Sequence, residues 1–157
     1  MNGAKGVDLV RAQARIDELK DMAGALLPIL LALQEEFGYI DRDLIPVIAD
    51  AVNQSRAEVV GVINFYHDFR QQPPGRHILE VCRAEACQAV GCEEMIDDIQ
   101  SRLGVRTGQT AADGSVTLRE VFCLGNCALG PSAMVDGNLY GRMSADRIQK
   151  LLAEASK

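Results

Sequence analysis

Tryptophan is absent from this sequence, and only three tyrosines and four phenylalanines occur among its 157 residues. The core must therefore be built from aliphatic side chains. Positive charge is scarce as well: 16 Lys and Arg stand against 22 Asp and Glu, a formal net charge of −6. Nucleic-acid binders need a basic face for the phosphates, so no nucleic-acid partner is expected. An acidic surface suits solubility and a basic protein partner. Long apolar runs are missing too. The longest, Ala25 to Leu33, contains Pro28 and is about half of the ~20 residues that cross a bilayer. The opening residues carry acids early and lack the apolar stretch of a signal peptide. The reading is a cytoplasmic chain with no direct membrane insertion. Also missing are a Ser/His/Asp set, a carboxylate pair, G-x-G-x-x-G and a Walker motif. The chain lacks the marks of a substrate or nucleotide site of its own.

Five cysteines are present. An odd count in a reducing compartment does not read as a disulfide framework. Close pairs of cysteines in such a compartment point to metal or redox chemistry. The pairs are Cys82-x4-Cys87 and Cys123-x3-Cys127, with Cys92 apart from them.

The chain changes character near Gln71-Gln72-Pro73-Pro74-Gly75, a breaker cluster that reads as a linker. Residues 1–72 read as a polar tail, up to about residue 22, followed by a helical bundle. Leu27, Leu30, Leu31 and Gln34 share a face of one helix, which Gly38 stops. Asp43 is placed to cap a second, with Leu44, Ile45, Ile48 and Val52 as its stripe. Ser55 and Glu58 read as a capping box for a third, with Val59, Val60, Ile63 and Tyr66 on one face. Residues 73–157 follow another pattern. His77 to Val81 is a short strand, Cys87 to Leu103 a helix ended by Gly104, and 107–114 a loop. Val116 to Val121 is a second strand. Asp136-Gly137 joins two short strands as a hairpin, and Ser144 caps a last helix. Strand, crossover helix, strand, hairpin and helix is the order of a four-stranded thioredoxin-like α/β sheet with flanking helices.

Each cysteine pair directly follows one of the strands joined by the crossover. Those strands run parallel, so both pairs emerge at the same end of the sheet. Gly125 and Gly130 let the loop backbone come close to sulfur, and Asn126 tolerates a tight loop. Four thiols gathered there suit an iron–sulfur cluster, structural zinc being the alternative that spacing leaves open. A thiol-redox site would need C-x-x-C at a helix start, which is absent. Cys92 falls on the helical stripe of Ala89, Ile96 and Ile99 and reads as a small buried hydrophobe. His67 and His77, the only histidines, read as surface or hydrogen-bonded residues. Arg83 and Glu85 lie between the first two cysteines.

With C-x4-C, 35 intervening residues and C-x3-C, the chain resembles the thioredoxin-like [2Fe–2S] subunits over about residues 12–155. These occur in NADH:quinone oxidoreductase, NAD-linked hydrogenases and NAD-dependent formate dehydrogenases. The wording of ARIDELKDMAGALLPIL (14–30), FYHDFR (65–70), VCRAEACQAVG (81–91) and CLGNCALGPSAMVDG (123–137) is most similar to the gamma subunit of the molybdenum-containing formate dehydrogenases. The resemblance implies one [2Fe–2S] cluster on Cys82, Cys87, Cys123 and Cys127, and an electron-transfer role without catalysis. It also implies partners: a subunit holding FMN and NAD, and a molybdenum-containing formate dehydrogenase subunit.

Overall fold

Asp8 accepts hydrogen bonds from the N–H groups of Val10 (3.0 Å) and Arg11 (3.3 Å), satisfying two of the free donors at a helix start. The helix it caps, α1 (Leu9–Leu19), buries Ala12 and Ile16 completely. In the computed structural model, which describes residues 7–155, the expected tail thus contains an 11-residue helix. Ala12 and Ile16, four residues apart, supply the anchoring stripe within an otherwise polar stretch. The part of that expected tail before residue 7 lies outside the described residues.

Helix α2 (Leu26–Phe37) ends at Gly38 with φ of +82°, as its glycine signal requires. Its buried face is Leu26, Ile29, Leu30 and Leu33, while Leu31 is half exposed. The face is rotated from the expected one, because nearly every position in this segment is apolar and the periodicity has two solutions. Gln34 lies off the apolar face and acts as a strap. Its amide donates to the Asp68 carbonyl (2.9 Å) and accepts from the Arg70 N–H (2.7 Å). Asp41, not Asp43, is the next cap: it accepts the Asp43 N–H (3.0 Å) and starts a 3-10 turn, Arg42–Leu44. That turn runs into α3 (Ile45–Ala51), where Pro46 occupies the first turn. Helix α4 (Arg56–Phe65) has the expected capping box: Glu58 N–H to Ser55 Oγ (3.2 Å) and Ser55 N–H to Glu58 Oε2 (2.7 Å). Val59 and Ile63 are buried, but Tyr66 has left the helix and is exposed. His67, expected on a helix, follows that helix end.

The chain forms two compact units, Met1–Pro73 and Pro74–Lys157, each with its own apolar core. The second unit is built on a mixed sheet in the order β2-β3-β1-β4-β5, with β2 (Gln109–Thr110) at one edge. Strands β1 (His77–Cys82) and β3 (Val116–Val121) are parallel, in register from His77 opposite Val116 to Cys82 opposite Val121. Strands β4 (Ala133–Val135) and β5 (Asn138–Tyr140) form the hairpin, antiparallel to β1 through β4. Both turn residues have positive φ, Asp136 at 49° and Gly137 at 81°, as a two-residue hairpin turn demands.

The sheet has five strands where four were expected. The extra one, β2 (Gln109–Thr110), pairs antiparallel with β3. Two residues carry no readable alternation; the strand forms a hairpin with β3, in which the hydroxyls of Thr110 and Thr117 meet at 2.8 Å. The expected helix from Cys87 is also split. A single turn, α5 (Glu85–Gln88), precedes α6 (Cys92–Leu103), and Gly91 between them has φ of +85°, which an α-helix cannot contain. Leu79, Val81, Val116 and Leu118 from the sheet pack with Met95, Ile96 and Ile99 of α6 and with Ile148 and Leu152 of α7 (Ala145–Ala155). Ser144 caps α7, accepting the Arg147 N–H at 3.3 Å. Among the described residues, no helix is long and apolar enough to cross a membrane.

Candidate metal centre

The parallel pairing of β1 and β3 brings two loops to one end of the sheet. Cys82 is the last residue of β1 and is buried. Its N–H donates to the Ser132 carbonyl (3.0 Å), and the next N–H, of Arg83, donates to the Val121 carbonyl (2.8 Å). The ladder thus continues past the strand and fixes where the first loop leaves it. Cys87 follows on α5, also buried. Cys123 comes two residues after β3, with φ of 123°, and Cys127 opens a 3-10 turn, Cys127–Leu129. Both of these are exposed.

Backbone N–H groups surround the sulfur atoms. The Cys82 sulfur receives the amides of Ala84, Leu124 and Cys123, so the second loop is bonded to the first pair. Burial opposes ionisation of Cys82, yet these amides and the Cys87 thiol together hold it below the ordinary thiol range. Cys87 is pushed up by burial and by its hydrogen bond with Cys82, against the pull of the Ser132 amide. Cys127 is raised by its hydrogen bond with Cys123 and by the charge there. Gly125 donates its N–H to Cys123 Sγ at 3.3 Å, as expected for this glycine. Gly130 acts differently: its N–H goes to the Cys127 carbonyl, and a side chain there would come within 3.1 Å of Val90 and 3.5 Å of Cys87 Sγ. Asn126 is not left-handed (φ of −105°); its amide donates to Ser132 Oγ at 3.2 Å.

The thiols are grouped two and two, Cys82 with Cys87 and Cys123 with Cys127. A set of four thiolates can hold a zinc ion or a binuclear cluster. A binuclear cluster takes two protein ligands on each iron, and amides directed at sulfur are how proteins tune such clusters. The donor set and its amides fit the [2Fe–2S] group.

Cys92 is fully buried at the start of α6. Burial, with the charges of Glu93 and Cys82, pushes its thiol up, so it stays protonated. Cys92→Ser is expected to keep the visible absorption of the cluster-loaded protein unchanged and to lower the melting temperature of that protein by a few degrees, about 1–2 kcal/mol for a polar group in an apolar site. Absorption spectroscopy and thermal unfolding check both parts; bleaching would make Cys92 a ligand. His77 stands at the other end of β1 from Cys82, with Nδ1 2.8 Å from Asp136, and is not at the site. Arg83 is paired with Glu93 (2.7 Å) and Glu120 (2.9 Å). Two supports escape a reading of the sequence: Ser132, and the segment 141–143. Arg142 N–H donates to the Leu129 carbonyl (2.6 Å) and Met143 N–H to the Pro131 carbonyl (2.9 Å). The one local signal for Ser132 is its place in the run after Cys127.

Residues 12–156 match the family of thioredoxin-like [2Fe-2S] ferredoxins. The chain is 38% identical over 133 residues to an NADH-quinone oxidoreductase subunit of Pseudomonas aeruginosa, covering 85% of this chain and 80% of that protein. It is 31% identical over 139 residues to NADP-reducing hydrogenase subunit HndA of Solidesulfovibrio fructosivorans, covering 88% and 81%. A crystal structure of an NAD+-reducing [NiFe]-hydrogenase in the air-oxidised state shares the fold, with a TM-score of 0.68 and 23% identity, over 81% of this chain and 22% of that one. Four thiols in two pairs on a sheet of this order, together with a match over nearly the whole length, make this chain a member of the thioredoxin-like [2Fe–2S] ferredoxin family.

Proposed function

We propose that Cys82, Cys87, Cys123 and Cys127 hold one [2Fe–2S] cluster and that the chain is a one-electron relay beside a flavin- and NAD-binding subunit. The observation that carries this is the two-and-two grouping of thiols at the ends of parallel strands, with backbone amides directed at sulfur. The cluster supplies the electron acceptor. The protein supplies the thiolates, the amides that stabilise their charge, and the burial of one pair. Exposed apolar side chains rim the exposed pair: Phe122 beside Cys123, Leu129 after Cys127, and Val90 across from Gly130. An electron must leave through a face that a partner can approach, and apolar side chains there suit a desolvated contact. We read residues 1–72 and 73–157 as separate domains, with the cluster in the second, and the whole as a cytoplasmic protein.

For the larger complex we propose a molybdenum-containing, NAD-dependent formate dehydrogenase, supported by the wording at 65–70, 81–91 and 123–137. The relation to a quinone oxidoreductase protein at 38% identity favours a second reading, the same relay in an NADH:quinone oxidoreductase or an NAD-linked hydrogenase. The test is purification of the complex through a tag on this chain. Its iron, acid-labile sulfide and EPR signal are measured, and NAD⁺ reduction is assayed with formate and with hydrogen. Formate-dependent NAD⁺ reduction and a molybdenum subunit are expected. Zinc without sulfide would overturn the cluster; hydrogen-dependent reduction, or a quinone reductase in place of both, would overturn the formate assignment.

A further inference from the structure

Arg83 immediately follows Cys82, and its backbone is fixed on both sides: its N–H binds Val121, and its carbonyl accepts from Gln88 Nε2 at 3.0 Å, beside Cys87. Its guanidinium lies between two carboxylates from different elements. Nε meets Glu93 at 2.7 Å, in the first turn of α6, and Nη1 meets Glu120 at 2.9 Å, near the end of β3 and three residues before Cys123. The group therefore joins both cysteine loops and the helix behind them. It carries one positive charge and two negative ones, a net of −1. All three side chains are between one third and one half exposed, so their charges are only partly screened by water.

A [2Fe–2S] cluster gains one negative charge on reduction, and nearby charge is one of the determinants of its potential. We infer that the Arg83–Glu93–Glu120 group sets the reduction potential of the cluster, its net negative charge holding the potential down while Arg83 limits the drop. This rests on the cluster assignment above. Removing the positive charge leaves two facing carboxylates and a net of −2, which disfavours the added electron. Removing one carboxylate leaves the group neutral, which favours it. The two changes act with opposite sign, which loss of a merely structural clamp would not produce.

The test is an EPR-monitored titration of the full-length, cluster-loaded protein with dithionite, comparing Arg83→Gln, Arg83→Lys, Glu93→Gln and Glu120→Gln with wild type. Arg83→Gln is expected to shift the reduction equilibrium on the order of threefold toward the oxidised form. Glu93→Gln and Glu120→Gln are expected to shift it by a similar factor toward the reduced form, and Arg83→Lys to stay near wild type. The shifts should shrink at high salt. If Arg83→Gln does not load, the two glutamate variants, which keep the arginine, decide alone. Glutamate variants that shift toward the oxidised form, an Arg83→Gln shift of the same sign as theirs, or no shift with a normal wild-type signal overturns the inference. A wild type without a [2Fe–2S] signal overturns the cluster assignment itself, and this inference with it.

Discussion

Gly141→Ala will lower the melting temperature of the cluster-bearing protein by about 2–12 °C and reduce its cluster content, with little change in helix content. A Cβ at position 141 would lie 2.6 Å from Leu129 Cβ, 2.8 Å from Asn126 Nδ2 and 2.8 Å from the Leu129 carbonyl oxygen. Two of these atoms cannot swing aside, because Cβ and the carbonyl move only with the backbone. That backbone is the turn carrying Cys127, and it is held to the 141–143 segment by the Arg142 and Met143 amides. The extra methyl must push the turn off its seat, and overpacking of this kind costs about 1–3 kcal/mol, which gives the stated shift in a chain of this size. The cysteine displaced is one of the exposed pair, so the amides at Cys82 lose their register with the second loop. Gly125→Ala is the control. Its φ is +75°, but a Cβ there meets nothing within 4 Å, so only the left-handed backbone costs energy, about 1–2 kcal/mol. Calorimetry and iron content on both variants separate contact from conformation. Equal melting temperatures and full iron in Gly141→Ala would show that the segment does not support the turn.

The contrast between these glycines also explains what the sequence discloses. Features that depend on neighbours in the chain were legible: the capping box of Ser55 and Glu58, the turn of Asp136 and Gly137, the stop at Gly38, and the strands that lead into Cys82 and Cys123. Parallel pairing of those strands followed from the crossover, and with it the gathering of four cysteines at one end of the sheet. Features created by distant contact were hidden. Ser132 sits ten residues before Arg142 and fifty after Cys82, and no local pattern connects them. Strand β2 was hidden for another reason: its pairing with Thr117 and Leu118 is local, but two residues are too few to show an alternation. The Arg83 clamp draws on Glu93 and Glu120, 10 and 37 residues away. Composition misled in two places. Apolar residues at nearly every position of α2 erased the difference between its faces, and the charges around Ala12 and Ile16 disguised α1 as a tail.

Cys127→Ser and Cys87→Ser will both lose the visible absorption, on the order of tenfold or more in cluster content, but they will differ without iron. The thiolate is the ligand, and one missing donor in a four-thiolate set leaves an iron with an open position or a weaker oxygen ligand. Cys127 is exposed at the start of a turn and its neighbour in hydrogen bonding is Cys123. A hydroxyl there meets water, so the iron-free variant should unfold within about 0.5 kcal/mol of iron-free wild type. Cys87 is 1% exposed, packed in the core, and its sulfur receives the Ser132 amide. Serine puts a shorter, more polar atom into that place, which costs about 1–3 kcal/mol even with no cluster to lose. Chemical denaturation of the chelator-treated proteins measures the difference. Loss of absorption in Cys127→Ser with unchanged iron-free stability isolates ligation from folding, which no substitution at the buried pair can do. Full absorption in Cys127→Ser would remove Cys127 from the ligand set, and the fourth thiolate would then have to be sought at Cys92, the one other cysteine in the sequence.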